Sequence, residues 1–159
     1  MQQIKLLAVI GLCANLFTAC STPSSTVLNS QDIKTVKAIF DEYKNYPKIN
    51  DTLKVSPTHG GKYVFTHINS LGIDSYRNKK FPYADGTIAV KEAHGSSDPN
   101  SAIDTLFVMK KMAGFDKDNG DWYYAMTDGK GNTKDSGKIQ MCITCHKTTA
   151  KDKDYIVGF

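Results

Sequence analysis

The segment Cys142-Ile143-Thr144-Cys145-His146 places two thiols three positions apart and an imidazole directly after them. Two thiols at this spacing can add to the two vinyl groups of one porphyrin, and the adjoining imidazole can then bind the iron. The motif therefore predicts one covalent haem c per chain. Cys142 and Cys145 are the predicted attachment points, and His146 is the predicted axial ligand of the iron.

Two other chemistries use a Cys-x-x-Cys pair, namely a reducible disulfide and half of a zinc site. A zinc site needs four ligands, and the sequence has no second cysteine pair after its N-terminal segment. A thioredoxin-like pair normally opens a helix near the start of a domain, whereas this pair lies close to the end of the chain. The sequence favours haem over both alternatives.

The N-terminal segment has the pattern of an export signal. A lysine precedes an apolar run over residues 6–17, and small residues lead from that run to Cys20. The run is too short to span a membrane as a mature helix. Cys20 after Thr-Ala resembles the bacterial lipoprotein box, which implies that residues 1–19 are removed and Cys20 is acylated. An ordinary cleaved signal with Cys20 left over is the alternative.

The leader and the haem motif indicate the same compartment, because c-type haem is attached after export. We expect a lipid-anchored protein on the periplasmic side of a bacterial membrane. Ser21 gives no inner-membrane retention signal of the Asp type, so the outer membrane is favoured. Residues 20–29 then form a flexible tether and residues 30–159 form one domain. Cys13 is lost with the leader, which leaves no cysteine for a disulfide.

The composition fits a small exported domain. The chain has 159 residues and a formal net charge of +4, which falls by one when the leader is removed with Lys5. The basic residues are scattered rather than clustered, so nucleic acid is not an expected partner. The remaining length suffices for one domain with one core.

The hydrophobic pattern predicts an α+β fold. Ser30 and Asp32 begin an amphipathic helix that ends before Pro47, and a loop follows over 48–61. Alternating residues then predict strands, with a short irregular or helical piece between the first two, and the haem motif lies on a helix. The predicted ranges are strands 62–73, 87–94, 102–112 and 122–127, the irregular piece 74–80, the haem helix 139–150 and an extended end 155–159. This order predicts an antiparallel β-sheet with an N-terminal helix and a C-terminal haem-bearing helix.

Three stretches together resemble the cytochrome P-460 family, which includes the cytochromes c′-beta. The first is Asp-Gly-Thr-Ile-Ala-Val-Lys-Glu over 85–92, and the second is Asp-Trp-Tyr-Tyr over 121–124. The third is the haem motif followed by Asp-Tyr-Ile-Val over 154–157. Their order and spacing agree with the family over residues 30–159.

The resemblance implies a role for Lys91. In the family, the lysine of the Asp-Gly-Thr segment can be bonded covalently to a meso carbon of the haem, and Lys91 is the matching residue. On an ideal strand Thr87, Ala89 and Lys91 share one face, opposite Ile88 and Val90, and the small neighbours leave room for a flat ring. The alternative is a solvated strand lysine.

The resemblance also implies a haem with an open sixth position that handles nitric oxide or hydroxylamine. Family enzymes that oxidise hydroxylamine place a carboxylate above the iron to accept protons. Alignment puts Leu106 at that position and Asn69 at the position of a pocket arginine, which favours binding of nitric oxide over turnover. Asp104 is the one candidate for a displaced carboxylate, and its alternative is an exposed acid. Phe81 and Tyr83 are candidates for capping the distal face.

A second axial ligand would change this function. Two strong ligands leave no site for a substrate, and the protein would then be an electron-transfer cytochrome. The candidate side chains are His59, His67, His94, Met109, Met112, Met126 and Met141. A non-catalytic nitric oxide sink or sensor is the third hypothesis. A redox partner cytochrome and a homodimer formed through the sheet are implied by the family resemblance.

Overall fold

The computed structural model describes residues 28–158. The export leader with Cys13, the predicted acylation site Cys20 and most of the tether lie outside the described residues. Within residues 28–158, no helix has the length and apolar character needed to cross a bilayer.

The described chain forms an α+β fold, as predicted. Its three α-helices are α1 (Ser30–Glu42), α2 (Ser70–Asn78) and α3 (Gln140–Ala150). Its six strands are β1 (Lys54–Ser56), β2 (Lys62–Ile68), β3 (Ile88–His94), β4 (Ile103–Lys111), β5 (Trp122–Asp128) and β6 (Thr133–Gly137). They form one sheet in the order of the sequence, and each neighbouring pair is antiparallel.

The sheet has two apolar faces, each covered by a different helix. On the α1 face, Val36 and Ile39 of the helix pack in one cluster with strand residues that include Val90 and Leu106. On the α3 face, Ile143 packs in a second cluster, whose strand members include Ala89, Met109, Trp122 and Tyr124. Successive strand residues contribute to opposite clusters because side chains alternate across a strand.

Two strands were not predicted, and one predicted strand is too long. β6 has the sequence Thr-Lys-Asp-Ser-Gly and β1 has only three residues, so neither shows an apolar alternation. The strand predicted over 62–73 ends at Ile68, because α2 begins at Ser70. The end predicted as extended over 155–159 begins with a turn, since Tyr155 has φ 71°.

The boundaries of the helices follow from local hydrogen bonds. Asn29, not Ser30, is the N-cap of α1, and its side-chain oxygen accepts a hydrogen bond of 2.8 Å from the backbone N–H of Asp32. α2 occupies part of the piece predicted as irregular or helical over 74–80 and begins four residues earlier than predicted. α3 agrees closely with the predicted haem helix.

Asp154 fixes the segment after α3 to the sheet. Its carboxylate accepts hydrogen bonds of 2.7 Å from the ammonium of Lys111 and 2.8 Å from the backbone N–H of Tyr83. Its backbone carbonyl accepts a third bond, of 2.9 Å, from the indole N–H of Trp122. The Asp154 side chain is 9% exposed, so these bonds are shielded from water. They set the position of the next residue, Tyr155.

Substitution Asp154→Asn is expected to lower the free energy of unfolding by about 2–4 kcal/mol, because it leaves the Lys111 charge buried without its carboxylate. Asparagine tolerates the positive φ of 47° at this position, so the change isolates the charge. The measurement is the denaturant midpoint of the haem-loaded protein. The exposed Asp152→Asn serves as the control and should leave the midpoint unchanged. An unchanged midpoint for Asp154→Asn would show that the ion pair does not stabilise the fold.

Candidate haem site

A cavity lies between α3 and the sheet. Cys142 and His146 line it from the helix. Side chains of the α3 face form the opposite wall, and these include Thr66, Ala89, Lys91, Phe107, Met109 and Tyr124. The C-terminal residues Ile156 and Val157 close one side. The cavity thus brings the predicted haem motif and Lys91 together.

The ring of His146 is held in a defined orientation. Its Nδ1 lies 2.6 Å from the backbone carbonyl oxygen of Tyr155. A carbonyl only accepts hydrogen bonds, so Nδ1 carries the proton and Nε2 carries the lone pair of the neutral ring. Burial lowers the pKa of His146, with Lys91 adding a smaller effect in the same direction, while the bond to Tyr155 partly opposes them. This is the arrangement in which a histidine binds a metal and a second group orients the ring.

The two thiols of the motif lie on one side of the same helix. Cys142 and Cys145 are three positions apart on α3, and side chains at this spacing are neighbours on a helix surface. Both are free thiols and half-buried. Burial raises the pKa of the Cys142 thiol to about 11. The pair can therefore reach one planar group that lies beside His146.

Two buried polar atoms in the cavity wall indicate that the cavity fits a cofactor. Among the described residues, neither the Thr66 hydroxyl nor the Tyr124 hydroxyl has a hydrogen-bond partner. Buried polar groups are nearly always bonded, so these atoms are suited to a polar group brought by a bound molecule. The apolar walls, the thiol pair and the oriented imidazole complete a site whose residues fit a covalent haem. Residues 28–158 contain no cluster of three or more His, Cys, Asp or Glu side chains that could hold a bare metal ion.

Lys91 lies in this cavity and is 8% exposed. The strand register places it between Thr66 on β2 and Phe107 on β4, which both face the cavity. Burial lowers the pKa of Lys91 to about 8, although the nearby Cys145 thiol opposes the shift. A much larger share of this lysine is therefore the neutral, nucleophilic amine near pH 8 than for a lysine in water.

The predicted position of Leu106 over the haem is wrong. Leu106 is fully buried on the α1 face, in the cluster that contains Val36 and Val90. The next residue, Phe107, faces the cavity instead. Because side chains alternate, an alignment shifted by one residue moves the whole strand to the opposite face. Phe107 is thus the apolar side chain that this part of β4 contributes to the cavity wall.

The two polar residues predicted near the iron lie elsewhere. The Asn69 amide donates a hydrogen bond of 3.0 Å to the carbonyl of Gly86, and its oxygen accepts one of 3.1 Å from the N–H of Ile88. It therefore joins the end of β2 to the start of β3. The Asp104 carboxylate is 40% exposed and forms an ion pair of 2.7 Å with Lys62. Neither Asn69 nor Asp104 lines the cavity.

Phe81 and Tyr83 border a neighbouring cavity rather than the one that contains His146. Tyr83 is buried against Trp122, with ring centres 6.0 Å apart, and Phe81 is 37% exposed. Ile156 lines both cavities, so the two aromatic residues lie at the edge of the haem site. Their predicted position over the distal face is not supported by this geometry.

His59, one of the candidates for a second axial ligand, also lines the cavity. Its ring centre lies 4.4 Å from that of Phe107 and 6.2 Å from that of His146. Burial, and then the charges of Lys91 and His146, lower its pKa to about 3, so the ring is neutral near pH 7. His59 lies in a 3₁₀ turn before β2, where strand alternation gives no guide to side-chain direction.

The other candidate ligands are distributed over the molecule. His67 contacts Tyr43 edge-on beneath α1, and His94 lies 2.9 Å from the Glu92 carboxylate. Of the four candidate methionines, only Met109 lines the cavity. Met141 is 71% exposed, although it precedes Cys142 directly.

Comparison with known proteins assigns the family. No curated protein matches the chain. The family model for Cytochrome P460 matches residues 40–157, which contain both thiols, His146, Lys91 and His59. The match covers most of the chain, and its span includes the cavity residues described above. The chain therefore belongs to the cytochrome P460 family of haem proteins.

Proposed function

We propose that this protein is an exported, lipid-anchored haem c protein that binds nitric oxide, with slow hydroxylamine conversion at best. The observation that carries the proposal is the composition of the cavity wall. It contains an oriented imidazole and one thiol of an adjacent pair, and none of the described residues that line it is a carboxylate. The site is thus suited to hold a haem and a small neutral ligand.

The residues of the haem motif would each hold a different part of the cofactor. Cys142 and Cys145 would form the two thioether bonds, and Nε2 of His146 would bind the iron. The carbonyl of Tyr155 keeps that nitrogen aimed into the cavity. When bound, a haem with one imidazole ligand supplies an iron that takes small diatomic or nitrogenous ligands at its other position.

The cavity wall selects among these ligands. Phe107 and Met109 present apolar surface, which stabilises a neutral diatomic molecule and offers no proton acceptor. Oxidation of hydroxylamine requires removal of protons, and general-base catalysis needs a group within hydrogen-bond reach. This difference supports nitric oxide binding as the main role.

The function is tested by adding nitric oxide to the purified, reduced haem-loaded protein and recording its absorption spectrum. We expect a complete spectral change, whereas hydroxylamine with an added oxidant should give little nitrous oxide. A protein whose spectrum does not respond to nitric oxide would contradict the proposal. Rapid formation of nitrous oxide would show that an enzyme had been mistaken for a binding protein.

We also propose that Lys91 bonds covalently to the haem, as the corresponding lysine can in the family. Its burial in the cavity and its lowered pKa both support this role. Lys91→Ala is expected to abolish the link, while Lys110→Ala, on the same sheet but beside α1, should retain it. Peptide mass spectrometry of the digested protein checks this, because the porphyrin would join the Lys91 peptide to the Cys142 peptide. A porphyrin adduct that survives Lys91→Ala would place the bond at another residue.

A carboxylate in the cavity should create the missing proton acceptor. Phe107→Glu is expected to raise hydroxylamine turnover by up to about 10²-fold, the lower end of the range that a positioned general base contributes. Leu106→Glu is the matched comparison, and it should destabilise the protein without raising turnover, since it buries a charge beneath α1. Nitrous oxide formation per haem measures both. Equal turnover of wild type and Phe107→Glu would refute the pocket-base argument.

The location and partners complete the proposal. A lipid on Cys20 and export to the periplasmic side, with the outer membrane favoured, are supported by the leader pattern alone. A redox partner cytochrome and a homodimer formed through the sheet are carried over from the family resemblance.

Electron transfer is the second candidate function. The placement of His59 in the cavity favours it, because a second strong ligand on the iron would occupy the position that a substrate needs.

A further inference from the structure

We propose that His59 is the second axial ligand of the haem iron when no exogenous ligand is bound. The ligand position would then be closed at rest, and a small molecule would have to displace the imidazole. This inference rests on the proposed haem site. It refines the expectation of an open sixth position, and it makes the protein a ligand-binding haem protein with a histidine gate.

The separation of the two imidazole rings carries the inference. The ring centres of His59 and His146 lie 6.2 Å apart across the cavity. Two imidazoles bound through Nε2 on opposite sides of one metal have centres about 6.4 Å apart, because the metal–nitrogen bond is about 2 Å and the nitrogen lies about 1.2 Å from the ring centre. The observed spacing therefore leaves room for one metal atom between the rings. A distal histidine that only contacted a bound ligand would lie farther from His146.

The orientation of His59 repeats the arrangement at His146. Nδ1 of His59 lies 2.8 Å from the Ser56 hydroxyl, as Nδ1 of His146 lies 2.6 Å from the Tyr155 carbonyl. The Ser56 hydroxyl can accept a hydrogen bond from Nδ1–H of His59, and in that tautomer Nε2 carries the lone pair for a metal, as it does in His146. The His59 ring also packs on Phe107, which restricts its rotation. Two neutral imidazoles are thus held by their Nδ1 atoms at the wall of one cavity.

The backbone around His59 suits a ligand that can leave. The residue ends the 3₁₀ turn Pro57–His59, and Gly60 and Gly61 follow, each with φ 71°. Apart from the adjoining residues, no heavy atom lies within 4 Å of the Cβ position at either glycine, so no other element packs against the turn there. β1, which precedes the turn, is a three-residue edge strand. Movement of the turn therefore leaves the paired central strands intact.

Two other side chains in the cavity could donate to iron. Met109 packs in the α3-face cluster with Trp122 and Tyr124, which is the usual role of a buried thioether. Lys91 supplies an amine on the same wall and is separately proposed to bond to the porphyrin edge. His59 is preferred because its distance from His146 matches a shared metal atom. Spectra of variants at the three residues separate these donors.

The test compares absorption and electron paramagnetic resonance spectra of the ferric haem-loaded protein without added ligand. We expect wild type to be low-spin with two nitrogen ligands, and His59→Ala to become high-spin. Imidazole added to His59→Ala should restore the low-spin spectrum. His59→Phe keeps a ring against Phe107 and should also be high-spin, so a folding defect in His59→Ala does not decide the result. Met109→Leu, which conserves volume, should remain low-spin.

Three outcomes overturn the inference: a high-spin wild type, a His59→Ala protein that stays low-spin, or loss of the low-spin spectrum only in Lys91→Ala or Met109→Leu.

Nitric oxide binding distinguishes this inference from the proposed function. The rate of binding should reach a plateau with concentration in wild type, because His59 must leave first, and rise linearly in His59→Ala. A low-spin wild type that never binds nitric oxide would retain His59 as ligand and refute the proposed function. A high-spin wild type that binds nitric oxide would support the proposed function and refute His59 as the resting ligand.

Discussion

The structure depends on the hydrogen bond between Nδ1 of His146 and the carbonyl of Tyr155. That bond decides which imidazole nitrogen faces the cavity, and it is only as rigid as the backbone that carries the carbonyl. Asp154 supplies the rigidity through bonds to Lys111, Tyr83 and Trp122. The aspartate and tyrosine after the haem helix are therefore part of the site, although neither would touch the cofactor through its side chain.

The two faces of the sheet have different roles: one is filled by packed side chains and the other borders the cavity. The α1 face is filled by aliphatic residues and by a buried network in which the Glu92 carboxylate accepts a bond of 2.7 Å from Tyr43. The α3 face keeps a cavity open and places Lys91 in it. Successive residues of β3 thus contribute alternately to the packing beneath α1 and to the cavity wall. Such a division lets the cavity wall vary with little change to the cluster beneath α1.

Part of this arrangement could be predicted from the sequence. The haem motif, the fold class and the shared face of Ala89 and Lys91 all follow from spacing and alternation, which are local properties. Leu106 was placed on the wrong face because periodicity cannot decide which face of a strand borders the cavity when both faces are apolar. β6 escaped prediction because an edge strand of polar residues has no hydrophobic pattern.

His59 was a candidate ligand by residue type alone, and the sequence could not single it out from the other histidines and methionines. Its ring reaches the cavity through a turn that follows β1, and only the folded chain brings it to 6.2 Å from a residue 87 positions later. No rule of spacing connects such a pair. The contacts that orient it, to Ser56 and Phe107, combine a local bond with a packing contact to a distant strand.

The central claim is that Cys142 and Cys145 hold a haem c covalently beside His146. Extraction of the matured protein with acidified acetone, followed by the pyridine haemochrome spectrum of both fractions, tests it most directly. The account predicts that all the haem stays with the polypeptide and that its spectrum is that of a haem joined through two thioethers, altered only by any further bond at Lys91. Haem that passes into the acetone, or a polypeptide that matures without colour, would contradict the account.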